Sequence, residues 1–116
     1  MRGLAFFAAA ATLAVGPAAA APTSVAGTWD LTWQTRSGPK REGWFVLTQR
    51  GSELRGEIHG RGSVNAKGSV SGNAFTLRGS RLAVPYTITG RIEGDRMEGR
   101  LKVLSVTRAF TGARRR

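Results

Sequence analysis

The chain has no cysteine, so no disulfide can staple it and no thiol is available as a nucleophile, metal ligand or lipid attachment point. A single histidine and seven acidic residues are too few and too scattered to furnish a metal centre, and none is expected. No glycine-rich turn is followed by a helical pattern, which removes the phosphate-binding loops, and no cofactor is implied. Proline occurs four times and tyrosine once, whereas glycine occurs sixteen times. That balance suits many short strands and tight turns and disfavours long helices. With 116 residues there is room for one domain.

Only one long apolar run exists. Met1-Arg2 gives a positive start, Leu4 to Val15 is rich in Leu, Phe and Ala, and Gly16-Pro17 leads to Ala18-Ala19-Ala20. This is the pattern of a signal peptide over residues 1–21, removed by cleavage near Ala20. The run is marginal for a membrane anchor and is broken by Pro17. The expectation is therefore a secreted or periplasmic domain over residues 22–116 that does not span a membrane after leader removal.

The formal net charge is +11, and the leader contributes only Arg2 to it. Arginines are spread along the chain and form a run only at Arg114-Arg115-Arg116. Such a surface attracts anionic polymers without needing a specific site, and it also fits an ordinary solvated basic face.

After the leader, alternation takes over. Trp29, Leu31 and Trp33 alternate with Thr28, Asp30, Thr32 and Gln34, the period of a half-buried strand. A turn is expected over Arg36 to Arg41 around Ser37-Gly38-Pro39, then a second strand over Gly43 to Gln49, apolar on both faces. Leu54, Gly56 and Ile58 face inward on a third strand, with Arg55, Glu57 and His59 outward. Val64 to Val70 is the fourth, Phe75 and Leu77 mark the fifth, and Gly79-Ser80-Arg81 is the expected turn after it. Val84 to Ile92, Met97 to Val103 and Val106 to Arg114 complete eight strands, the last preceded by Leu104-Ser105, which carries no turn signal.

Glycine sits between apolar residues on the inward face at Gly56, Gly68, Gly90 and Gly99. Repeated inward glycines favour sharp coiling and a narrow interior. The fold expected is all-β, a small antiparallel up-and-down barrel of about eight strands, which leaves no free sheet edge. In such a barrel the last strand returns beside the first, bringing Arg114 to Trp29 and Arg108 to the opposite mouth.

The Gly27-x-Trp29 that opens the first strand, with Arg114 near the end of the last, resembles the signature of the calycin group: lipocalins, avidins and fatty-acid-binding proteins. The resemblance covers the whole mature chain in architecture and Gly27, Trp29 and Arg114 in motif. It implies a lipocalin- or avidin-like barrel, an arginine packed over the indole, and a small hydrophobic or amphipathic ligand. The chain is shorter than typical lipocalins and has neither their disulfide nor a helix after the barrel. It lacks the later tryptophan-bearing strands of avidins, so biotin binding does not carry over.

Alternation puts Trp29, Leu47, Leu54, Val70, Phe75, Met97, Phe110 and Arg114 at one end. Trp33, Phe45, Ile58, Val64, Leu77, Tyr86, Val103 and Arg108 fall at the other. Trp33, Phe45, Tyr86 and Arg108 are the candidate ligand-binding residues, since aromatics with one inward arginine suit an apolar ligand carrying an acid. Two interiors remain open, this one and a core filled by its own side chains. No catalytic residue is assigned: His59 and Glu57 share an outward face, but no nucleophile is spaced to join them. The competing function is a barrel acting through its outer surface on an anionic cell-envelope polymer or on a protein, as small periplasmic protease inhibitors with lipocalin-like barrels do. Nucleic acid is not an expected partner, because the aromatics fall mostly inward instead of interleaving with arginine outside.

Overall fold

The computed structural model describes residues 24–115; the leader and Arg116 lie outside the described residues. Eight strands follow one another: β1 (Gly27–Thr35), β2 (Gly38–Arg50), β3 (Glu53–His59), β4 (Ser63–Ser71), β5 (Ala74–Arg81), β6 (Val84–Glu93), β7 (Arg96–Val103) and β8 (Val106–Arg114). Each pairs antiparallel with the next, and β8 closes on β1 to give an up-and-down barrel. The closing register sets Trp29 opposite Arg114 and Trp33 opposite Phe110.

The inward glycines have a specific use. Across the ladders Leu47 faces Gly56, Phe75 faces Gly90, Phe110 faces Gly99 and Met97 faces Gly112. A Cβ at Gly90 would come within 2.7 Å of the Phe75 ring, and one at Gly112 within 2.7 Å of Met97 Cγ. Each glycine thus vacates the space that its cross-strand partner's large side chain fills, and large–small pairing lets eight short strands interdigitate at core density. The centre of the barrel is filled: Trp29, Phe45, Leu77, Ile88 and Phe110 are buried, with the Phe45 and Phe110 rings edge-to-face at 5.5 Å.

Two strand boundaries differ from the expected ones. The first turn is only Arg36-Ser37, and β2 begins at Gly38, five residues before Gly43. Gly43 is instead a bulge, where the β1–β2 register slips between Asp30 and Thr32. Its φ of 84° and the His59 carbonyl, 2.4 Å from where a Cβ would sit, leave room for glycine alone. Likewise Gly79-Ser80-Arg81 belongs to β5, and the turn is Leu82-Ala83. Gly79 serves Tyr86, its cross-strand partner, whose hydroxyl lies 2.5 Å from the absent Cβ.

The hairpins at the two ends differ in the residue placed in the left-handed region. At the end that carries Trp29, the β2–β3, β4–β5 and β6–β7 turns put Gly51, Gly72 and Gly94 there, with φ of 60°, 59° and 61°. At the other end the β5–β6 and β7–β8 turns put Leu82 (52°), Ala83 (67°) and Leu104 (55°) there. For residues with a Cβ this conformation costs about 1–2 kcal/mol each.

Candidate functional site

The Trp29 end is sealed. Trp29 is fully buried, and its indole N–H donates to the Val25 carbonyl at 2.9 Å. Val25, also fully buried, is drawn in by a backbone N–H donated to Gln49 Oε1 at 2.6 Å. The Arg114 guanidinium lies over the indole, its Cζ 4.3 Å from the ring centroid, in cation–π geometry. It also donates to the carbonyls of Ser24 and Ala26 and, at 3.1 Å, to Asp95 Oδ1. Gly27 lies against that guanidinium, 3.1 Å from where its Cβ would stand. At this end the β3–β4, β5–β6 and β7–β8 ladders each run one rung into the hairpin turns, where the carbonyls of Ser52, Asn73 and Asp95 accept backbone N–H groups from Val70, Ile92 and Arg114. Outside, Arg115 pairs with Asp30 and holds that carboxyl below its ordinary range. Gly27, Trp29 and Arg114 therefore make a packed structural cap.

The opposite end is a mouth. A cavity of about 570 Å3 opens there. Its apolar wall comes from Trp33, Ile58, Val64, Leu101 and Val103, which are half-buried and packed on the core below. Cations ring it: Lys40, Arg61, Arg81 and Arg108. Glu42, the one carboxylate lining it among the described residues, is shared by Lys40 at 3.5 Å and Arg61 at 3.7 Å. Arg81 and Arg108 pair with no carboxylate among the described residues. The Trp33 indole N–H, which would otherwise be an unpaired donor in an apolar wall, donates to the Glu42 carbonyl at 2.9 Å.

Of the four residues proposed from sequence to bind a ligand, Trp33 and Arg108 line this mouth together, and Phe45 and Tyr86 do not. Phe45 lies at mid-barrel, fully buried between Trp29 and Ile58 in register, because β2 extends five residues further toward the mouth than its apolar stretch indicates. Leu77, also expected at the rim, is fully buried. Tyr86 folds down over Gly79, is 7% exposed, and donates its hydroxyl to the Asn65 carbonyl at 3.1 Å. Burial raises its phenol above the ordinary value of 10.0. The folded state therefore favours the neutral phenol, and the resulting stability is complete below pH 10 and is lost as pH rises through the raised value. Tyr86→Phe is expected to cost about 1 kcal/mol at neutral pH through the lost hydrogen bond. It should also flatten the alkaline limb of the stability curve, as denaturant titrations across that range would show.

Lys40 and Glu42 are mouth residues that strict alternation hides. Counting back from Phe45 by twos reaches Gly43 and Arg41, but the bulge inserts one residue and turns Glu42 and Lys40 inward instead. The isolated Gly43 between a charged and an apolar stretch is the signal that marks it. His59 and Glu57 are 2.9 Å apart, and the imidazole stacks on Trp44 with ring centroids at 4.9 Å and an interplanar angle of 9°. His59 also touches the mouth's outer edge.

The geometry defines a closed eight-stranded up-and-down barrel with one capped and one open end. No protein-family model and no curated protein matches the sequence. Among solved structures, a redesigned β-barrel is similar to it with a TM-score of 0.61 at 10% identity, over 79% of this chain and 91% of that one. A Schistosoma mansoni fatty acid binding protein, solved in complex with arachidonic acid, is similar with a TM-score of 0.53 at 14% identity, over 84% of this chain and all of that one. These likenesses are of fold.

Proposed function

We propose that the protein is an exported, non-enzymatic barrel that binds a small amphipathic acid in its mouth. One observation carries the reading: among the described residues Arg81 and Arg108 have no carboxylate partner, and they stand beside an apolar wall of Trp33, Ile58, Val64, Leu101 and Val103. An apolar tail against that wall and an anionic head on a guanidinium satisfy both surfaces, and a guanidinium can hold a carboxylate through two hydrogen bonds. The filled centre limits the ligand to what the mouth accommodates, a short or folded chain in preference to one threaded along the barrel axis. The fatty acid bound by the Schistosoma protein belongs to the same chemical class. Export rests on the leader over residues 1–21.

The test is titration of the mature protein with an anionic naphthalene-sulfonate dye, followed by displacement with medium-chain fatty acids and with alcohols of equal length. Acids should displace the dye and alcohols should do so far less well. The Arg81→Ala/Arg108→Ala variant should weaken the acids by about tenfold or more, the worth of one charge-assisted hydrogen bond. Equal displacement by alcohols, or binding unchanged in the double variant, would overturn the acidic-ligand reading.

A further inference from the structure

The hairpin tips around the mouth carry a feature the ligand reading does not use. In the two-residue β5–β6 and β7–β8 turns, the left-handed first position that holds Gly51, Gly72 and Gly94 at the capped end holds Leu82 and Leu104. Neither leucine gains packing in return: Leu82 is 91% exposed and Leu104 73% exposed, and Val106 beside Leu104 is 59% exposed. Among the described residues these three, with Trp44, are the exposed large hydrophobic side chains. A leucine in a glycine's conformation, with its side chain in water, lowers stability twice over, so its benefit lies outside the folded chain alone.

What surrounds the leucines indicates what they meet. The two hairpins are neighbours on the rim, because β6 and β7 are paired. Exposed cations flank the tips: Arg81 precedes Leu82, Lys102 lies two residues before Leu104, and Arg36 and Arg61 occupy the other two mouth hairpins. Glu42, the carboxylate of the mouth, is already neutralised by Lys40 and Arg61. At the glycine-tipped end Glu53, Glu93 and Asp95 stand among Arg50, Arg96, Arg114 and Arg115, and Arg114 and Arg115 are paired with Asp95 and Asp30. One end of the barrel is thus apolar-tipped and predominantly cationic, and the other is glycine-tipped with mixed, partly paired charge.

We infer that the mouth docks on an anionic lipid bilayer, with Leu82, Leu104 and Val106 entering the interface and the surrounding arginines and lysine meeting the headgroups. Single apolar side chains on protruding turns, ringed by cations, match a surface that is soft, negatively charged and apolar just below. A folded protein partner would instead require a broad complementary patch. Val106, Arg61 and Arg81 also line the cavity, but Leu82 and Leu104, on which the inference turns, do not.

The experiment is co-sedimentation of the mature protein with vesicles of equal parts phosphatidylglycerol and phosphatidylcholine, and with vesicles of phosphatidylcholine alone. The wild type should bind the anionic vesicles and not the zwitterionic ones. The Leu82→Gly/Leu104→Gly variant should bind at least about tenfold more weakly, the loss of partly inserted leucines. It should also melt no lower than the wild type, because glycine relieves both left-handed positions. A Leu82→Asn/Leu104→Asn variant, which also tolerates that conformation, should behave alike. Dye binding in the mouth should be unchanged in both, which separates this inference from the ligand reading. Equal vesicle binding by wild type and glycine variant would overturn it in favour of simple adsorption to a basic protein. Absence of vesicle binding by the wild type, or a self-associated wild type that the glycine variant makes monomeric, would overturn it in favour of another protein surface or a second copy.

Discussion

Trp29→Ala is expected to lower the free energy of unfolding by about 3–5 kcal/mol, the cost of truncating a large aromatic side chain in a core that cannot collapse around the void. The indole is fully buried between Val25, the Arg114 guanidinium and the first turn of side chains inside the barrel. Its removal also leaves the Val25 carbonyl without its 2.9 Å donor. Denaturant titration of wild type and variant measures the difference, and a change below about 1 kcal/mol would show that the indole is not buried. Arg114→Ala should destabilise as well, through the lost cation–π contact of about 1 kcal/mol and the freed carbonyls of Ser24 and Ala26. Because the two side chains are in contact, the double variant should lose less than the sum of the singles, and strict additivity would refute the stacking.

Gly68→Ala should rival that effect although it adds a single methyl group. A Cβ at position 68 would stand 1.6 Å from the Thr76 carbonyl oxygen and 2.9 Å from the Leu77 Cα, both backbone atoms of the neighbouring strand. A flexible side chain could move aside, but a ladder strand moves only by breaking β4–β5 hydrogen bonds. The expected loss is about 3 kcal/mol, at the upper end for overpacking. Gly60→Ala is the matched control: nothing lies within 4 Å of its would-be Cβ and its φ is not in the left-handed region. It should change stability by no more than about 0.5 kcal/mol. Similar losses for the two substitutions would mean that β4 and β5 do not approach as closely as described.

The barrel was legible in the sequence because its determinants are local. Alternation from Trp29 to Trp33, glycine at the capped-end turns and the inward glycines each depend on residues close in sequence, and together they specify the strand number and the closing pair. The mouth was harder to read because its determinants are interruptions. Gly43 shifts the phase of β2 by one residue, so Lys40 and Glu42 enter the site, and the added length of β2 leaves Phe45 below it in the core. Gly79 looks like punctuation yet makes room for a ring on the adjacent strand. Leu82-Ala83 and Leu104-Ser105 turn the chain without glycine, proline or asparagine, so their positions follow from the strands they connect. In each case a residue's role was set by the strand beside it and not by its own type.

The seal formed by Trp29 and Arg114 also has a consequence for timing. The first strand finds its lid on the last, and the Trp29–Arg114 pairing spans almost the whole barrel sequence. Each of the other ladders joins consecutive strands and can form as soon as two hairpin arms exist. The closing ladder must wait until all eight strands have been made, and a contact of such long sequence separation is slow to form. Until then the nascent chain carries two open edges and an uncovered indole, and closure of the last ladder removes all three liabilities in one step.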